Sequence, residues 1–153
     1  MSQDLPDTET TNLMGWFVGR VHHYNIHVFY EDTDFSGIVY HANYLKYFER
    51  GRSSFLNLIG VEHAELWDDH NMAFIIRKME IEYKRAAKVD DRLTIKTYYN
   101  RVKGARLFIS QECYRGSELV VSAECEAACI NKDGRPIRTS GFLMEKLAGF
   151  LEG

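Results

Sequence analysis

The stretch Tyr30-Glu31-Asp32-Thr33-Asp34-Phe35-Ser36-Gly37-Ile38-Val39-Tyr40-His41-Ala42-Asn43-Tyr44 ends one periodicity and begins another. Before it, Tyr24, Ile26, Val28 and Tyr30 alternate with Asn25, His27 and Phe29, the period-two pattern of a strand. After it, Leu45, Phe48, Arg52, Phe55, Leu56 and Ile59 recur every three or four residues, a helical stripe that stops at Gly60. Between them lie three acids, Glu31, Asp32 and Asp34, and a turn glycine, Gly37. A carboxylate held beside a helix N-terminus sits next to backbone N–H groups that can stabilise developing negative charge, a layout suited to carbonyl chemistry. Asn43 is placed to cap this helix, whose first turns could begin at Tyr40 or His41. Gly51, inside the helix, costs about 1 kcal/mol relative to Ala and implies close packing against another backbone.

Working outward toward the C-terminus, Glu62 to Asn71 is a polar connection, and four alternating runs follow. Ile75, Met79, Ile81 and Tyr83 stand opposite Lys78, Glu80 and Glu82, and Leu93, Ile95, Thr97 and Tyr99 form the second run. A third extends from Leu107 to Tyr114, turns at Arg115-Gly116-Ser117, and returns through Leu119, Val121, Ala123, Cys125, Ala127 and Cys129. Asn131-Lys132-Asp133-Gly134 closes that run, and Phe142 to Leu151 reads as a short helix. Toward the N-terminus, residues 1–18 are polar and aperiodic and read as a loose tail, with order beginning near Val21. The remainder, 19–153, is one domain, because 153 residues suffice for one core and not for two ordinary ones. One strand, one long helix, then four strands joined by short turns predicts an α+β protein with an antiparallel sheet packed on one helix.

Composition excludes several function classes. The net charge of −3 comes from 19 basic and 22 acidic residues mixed along the chain, so no basic stripe awaits nucleic acid or an anionic membrane. The N-terminus is acidic where a signal peptide would be basic, and the longest apolar run, Met72 to Ile76, cannot span a bilayer, which predicts a cytoplasmic protein without membrane insertion. Cys113, Cys125 and Cys129 form an odd set, and the last two would lie about 13 Å apart along a strand, so they read as buried small side chains in a reducing compartment. His23 and His27 are separated by the same ~13 Å, too far for one ion, and no other spacing resembles a zinc site. No metal and no cofactor is expected, and no Gly-x-Ser-x-Gly elbow announces a serine hydrolase.

Tyr30-x-Asp32-x-Asp34, followed by Gly37-Ile38-Val39-Tyr40-His41-Ala42-Asn43-Tyr44-Leu45 and Phe48-Glu49-Arg50-Gly51-Arg52, resembles the motif of hotdog-fold acyl-CoA thioesterases. The similarity is to the group of 4-hydroxybenzoyl-CoA and Tol-Pal-associated acyl-CoA thioesterases, and it covers roughly residues 21 to 140. The resemblance implies a hotdog fold, a five-stranded antiparallel sheet wrapped around one long central helix, pairing into a homodimer or homotetramer.

It also implies roles by motif position. Asp34 matches the catalytic carboxylate, which attacks the thioester carbonyl or deprotonates a water that does; the sequence leaves both open. His41 matches the residue whose backbone N–H, at the first turn of the helix, addresses the thioester oxygen, and it is carried over as catalytic. Gly37, Val39 and Tyr40 fall in the substrate-binding part of the motif, Gly37 as the turn residue that lets the chain approach the substrate. Lys103 and Arg106, with Arg101 nearby, lie where relatives carry basic residues for the CoA nucleotide, and Lys84-Arg85 is a second candidate patch. Asp32, two residues from Asp34 in an extended segment, points to the opposite face and is structural. Glu49 matches a second subclass's catalytic position, but Ala42-Asn43 stands where that subclass has Gly-Gly, so Glu49 is expected to pair with an arginine such as Arg50, Arg52 or one across the subunit interface. The function so implied is hydrolysis of a short-chain or aromatic acyl-CoA to free acid and CoA. The alternative is a non-catalytic hotdog module that binds acyl-CoA or an acyl carrier protein.

Overall fold

The structure, a computed structural model, describes residues 13–152. Six strands form one antiparallel sheet: β1 (Trp16–Val18), β2 (Val21–His27), β3 (Ala73–Tyr83), β4 (Arg92–Lys103), β5 (Arg106–Arg115) and β6 (Glu118–Ile130), in the spatial order β1-β2-β4-β5-β6-β3. Three helices accompany it: α1 (Asn43–Leu58), α2 (His63–His70) and α3 (Gly141–Leu147), the last continued by a 3-10 turn at Ala148–Phe150. The expected sheet and long helix are both present. The short C-terminal helix is present too; among the described residues the expected strand count of five is corrected to six, and α2 is a helix the sequence did not announce.

The sixth strand comes from the stretch read as a tail. Residues 1–12 of that tail lie outside the described residues, but Trp16–Val18 pairs with β2, Trp16 opposite His23 and Val18 opposite Val21. Trp16 stacks on His23 with ring centroids 5.3 Å apart, which fixes the register of a strand only three residues long. The polar connection 62–71 holds α2, which buries only Leu66 and ends at Asn71 in a left-handed conformation (φ 51°).

β4, β5 and β6 each alternate buried and half-exposed positions, as a sheet with one covered face must. α1 covers that face, burying Tyr44, Tyr47, Phe48, Gly51, Phe55 and Leu56. Of the stripe read in the sequence, Phe48, Arg52, Phe55 and Leu56 are buried and Leu45 is 44% exposed, while Tyr44 and Tyr47 add inward positions at the helix start. Gly60 (φ 90°) ends the helix: its N–H donates to the Asn57 carbonyl and the Val61 N–H to Leu56, a left-handed stop that favours glycine.

Gly51 marks the closest approach of helix to sheet. A Cβ there would stand 2.8 Å from Ile95 Cγ2, 3.0 Å from Thr97 Oγ1 and 3.2 Å from Gln111 Nε2, so what it faces is side chains of β4 and β5 rather than the backbone expected. On either side of this contact the core divides in two. One half gathers Tyr44, Phe48, Val28, Val39, Leu93 and Val121 around the start of α1, the other Phe55, Leu66, Leu107, Leu143 and Leu147 around its end.

β3 is an edge strand of eleven residues with none buried. Its far side, including Ile75 and Ile76 at 45% and 46% exposure, carries no neighbouring strand among the described residues.

Candidate active site

β2 ends at His27, and the chain reaches α1 through a short 3-10 turn at Tyr30–Asp32 and a tight loop. Asp32 closes the turn: its Oδ2 accepts the Phe29 N–H at 2.9 Å, and its carbonyl accepts both the Tyr40 N–H (2.9 Å) and Asn43 Nδ2 (2.8 Å). Asn43 is thus a tie between turn and helix instead of a cap; Ala42 holds the cap position without a side-chain bond.

Between Thr33 and Val39, which bridge each other, the loop makes a rigid hairpin. The Asp34 N–H donates to the Ile38 carbonyl, and the Gly37 N–H to the Asp34 carbonyl, each at 3.0 Å. Gly37 has φ 82°, with open space where a Cβ would point, so backbone conformation is what requires glycine here. Ser36 holds the Asp34 carboxylate: its N–H (2.8 Å) and hydroxyl (2.5 Å) both donate to Oδ1. These bonds, the hydroxyl's first, hold the Asp34 carboxyl below its ordinary value, with a further contribution from nearby His41. Oδ2 accepts no hydrogen bond among the described residues and remains available for chemistry.

At the start of α1, the Asn43 N–H donates to the Tyr40 carbonyl, whereas the His41 and Ala42 N–H groups donate to nothing among the described residues. The His41 ring lies against Tyr40 (centroids 4.5 Å apart) and edge-on to Tyr83 (6.2 Å), whose hydroxyl donates to the His41 carbonyl at 3.1 Å. An exposed carboxylate oxygen therefore shares a short loop with two unengaged N–H donors at a helix start, an arrangement that can deliver a nucleophile or base and receive an oxyanion.

The expected site residues separate on inspection. Asp34, Gly37, Tyr40 and His41 share this exposed loop. Val39 does not reach out from it: the side chain is 4% exposed, inside the core, and its N–H is bound to the Ala87 carbonyl. Lys103 and Arg106 flank the β4–β5 turn, whereas the loop's neighbours, Ala87 and Lys88, precede β4 at its other end. From Arg92 to Lys103 the strand runs about 36 Å at ~3.3 Å per residue, so within one chain the pair does not join the loop. Lys84 and Arg85 sit closer but are engaged by Glu82 (2.8 Å) and Glu118 (3.2 Å). The cation without an acidic partner beside the loop, among the described residues, is Lys88, whose backbone bridges Ile38; no motif in the sequence pointed to it.

Glu49 accepts the Ser53 hydroxyl at 2.6 Å, while the Arg52 Nη1 donates to Gln111 Oε1 at 2.9 Å, so among the described residues of one chain Glu49 pairs with neither Arg50 nor Arg52. Cys113, Cys125 and Cys129 are free and buried, and burial pushes the Cys113 thiol up to about 12. Among the described residues, no group of three His, Cys, Asp or Glu side chains is placed to hold a metal ion, and no helix is long and apolar enough to cross a membrane.

Comparison with known proteins adds an independent line. The family model of the thioesterase-like superfamily matches residues 28–147. The acyl-CoA thioesterase YbgC of Haemophilus influenzae is 37% identical over 106 residues, 69% of this chain and 78% of that protein. The acyl-CoA thioester hydrolase YbgC of Escherichia coli is 34% identical over 107 residues, 69% of this chain and 79% of its own. A probable thioesterase from Bartonella henselae has a crystal structure that superposes with TM-score 0.76 at 43% identity, covering 78% of this chain and 99% of that one.

Proposed function

The chain belongs to the thioesterase-like superfamily and is an enzyme that hydrolyses acyl-CoA thioesters, and we propose that Asp34 performs the attack. The observation that carries this is the pairing of a free Asp34 Oδ2 with the unengaged His41 and Ala42 N–H groups at the start of α1. Either Oδ2 adds to the thioester carbonyl carbon, giving an anhydride that water opens, or it takes a proton from a water that adds instead. In both routes the carbonyl oxygen becomes an oxyanion, the N–H groups receive it, and CoA leaves as a thiol after protonation. Ser36 fixes the carboxylate's rotamer and stabilises its ionised form.

We further infer a homodimer, or a pair of dimers, in the cytoplasm. Three buried free thiols suit a reducing compartment, and an eleven-residue edge strand without a partner is a template for a second copy. Antiparallel pairing of β3 with itself would also resolve the position of Lys103 and Arg106. Arg106 lies opposite Ala128 of β6, at the Ala73 end of β3, while Tyr83 at the other end meets His41. Self-pairing reverses the second copy, bringing its Gly104 turn to the end that carries Asp34. Its Lys103 and Arg106 could then hold the nucleotide phosphates, at a site shared between subunits.

The acyl group is short-chain or aromatic in this reading, which the exposed Phe35 and Tyr40 beside Asp34 favour. A thiol-release assay over a panel of acyl-CoAs tests the proposal: CoA should appear with at least one short-chain or aromatic substrate, and no release from any member would refute it.

A further inference from the structure

Between α1, α2 and β3 the helix-covered face of the sheet lines an open-mouthed chamber of about 140 Å³. Its walls are apolar, formed by Leu56, Phe74, Ile76, Tyr99, Leu107 and Ile109, except at the mouth. There Glu49 and Ser53, one turn apart on α1, meet His63 at the start of α2. Ser53 Oγ donates to Glu49 Oε1 at 2.6 Å and stands 2.9 Å from His63 Nε2.

The directions of these bonds follow from counting protons. A serine hydroxyl has one, and the carboxylate, which only accepts, takes it. His63 Nε2 must then carry its own proton and donate to Ser53, which leaves the neutral ring's lone pair on Nδ1. Phe74 holds the ring edge-on, with centroids 5.9 Å apart. Among the described residues nothing donates to Glu49 Oε2 or His63 Nδ1. The polar wall therefore offers acceptors, and it fits a group that brings a proton. The chamber's other polar groups are engaged, the Arg52 guanidinium by Gln111 and the Tyr99 hydroxyl by donating to the Arg52 carbonyl.

The chamber shares Glu49, Arg52 and Ile76 with a groove between α1 and β3 that continues along Leu45, Lys46 and Met79 toward the start of α1. From Asn43 to Glu49 is six residues, about 9 Å along the helix at 1.5 Å per residue, the reach of a short acyl chain or one aromatic ring.

We propose that Glu49, Ser53 and His63 form the acyl-recognition subsite and select thioesters whose acyl group carries a hydroxyl over the same acyl group without one. This rests on the thioesterase reading above. A wall at the chamber mouth competes with water, so the selection is expected to be about tenfold, well below that of a sealed hydroxyl pocket.

The test is kcat/KM for matched pairs: butyryl-CoA against 3-hydroxybutyryl-CoA, and benzoyl-CoA against 4-hydroxybenzoyl-CoA. At least one pair should favour the hydroxylated member by about tenfold in the unaltered protein. Glu49→Ala and Ser53→Ala should each bring that ratio to within about twofold of one. A ratio near one in the unaltered protein, or a preference that survives both substitutions, would overturn the subsite and leave the thioesterase reading standing. No hydrolysis of any of the four would overturn the subsite, and the thioesterase reading would fall with it only if the wider acyl-CoA panel were inert as well.

Discussion

Gly51→Ala sets two physical effects against each other, and the structure decides which wins. Helix propensity alone favours alanine by about 1 kcal/mol. The added Cβ, however, would stand 2.8 Å from Ile95 Cγ2 and 3.0 Å from Thr97 Oγ1, and neither neighbour can yield, both being fully buried. The third neighbour, Gln111, is locked by donating to the Phe48 carbonyl (2.8 Å) and Thr97 Oγ1 (2.9 Å) while accepting from Arg52 (2.9 Å). Overpacking costs about 1–3 kcal/mol, and loosening one buried hydrogen bond about 1 kcal/mol. After subtracting the propensity gain the net loss is about 2 kcal/mol, which at ~2–4 °C per kcal/mol lowers the melting temperature by about 4–8 °C. Calorimetry or circular dichroism on both proteins at equal concentration reads this directly. A melting temperature that is unchanged or raised would mean that α1 does not approach the sheet as described.

Ser36→Ala removes the hydroxyl that holds the Asp34 carboxyl low, so that carboxyl should titrate at higher pH and the acid limb of kcat/KM should move up with it; carbon-13 NMR of the Asp34 carboxyl checks the direction, and an unmoved titration would remove Ser36 from the account. Replacing both Lys103 and Arg106 with Ala should raise KM for acyl-CoA, more so at high salt, with kcat within a few-fold of the parent and little effect on an acyl-pantetheine lacking the nucleotide. Equal loss on both substrates would point to the fold or interface instead. Light scattering at assay concentration should find at least twice the mass of one chain, and an active monomer would contradict the shared site.

Much of this architecture is written in periodicity. Alternation in β4, β5 and β6 is strong because each lies inside the sheet with one face covered, and the Asp34 loop is legible because strand, turn glycine and helix start follow within fifteen residues. What escaped were elements with little to bury. α2 covers only Leu66, and β1 is three residues held by pairing and a Trp16–His23 stack, so neither leaves a pattern. The stripe of α1 is legible from Phe48 to Leu56, but Tyr44 and Tyr47 fall outside it because they carry polar hydroxyls yet lie at 2% and 1% exposure. Lys103 and Arg106 were recognised as a basic pair, but a linear sequence does not tell which end of a sheet a hairpin faces. The Glu49–Ser53–His63 contact depends on where α2 meets α1, and α2 itself had no signal.

Asp34→Asn preserves the side chain's shape while removing the nucleophile or base, and so asks whether Asp34 does the chemistry. With the best acyl-CoA of the panel, kcat should fall at least ~10²-fold while the melting temperature stays within a few degrees of the parent. Asp32→Asn, which perturbs the neighbouring turn without touching the proposed attack, should be much milder. Near-normal turnover in Asp34→Asn would contradict the account and send the search for the attacking group elsewhere on the chain.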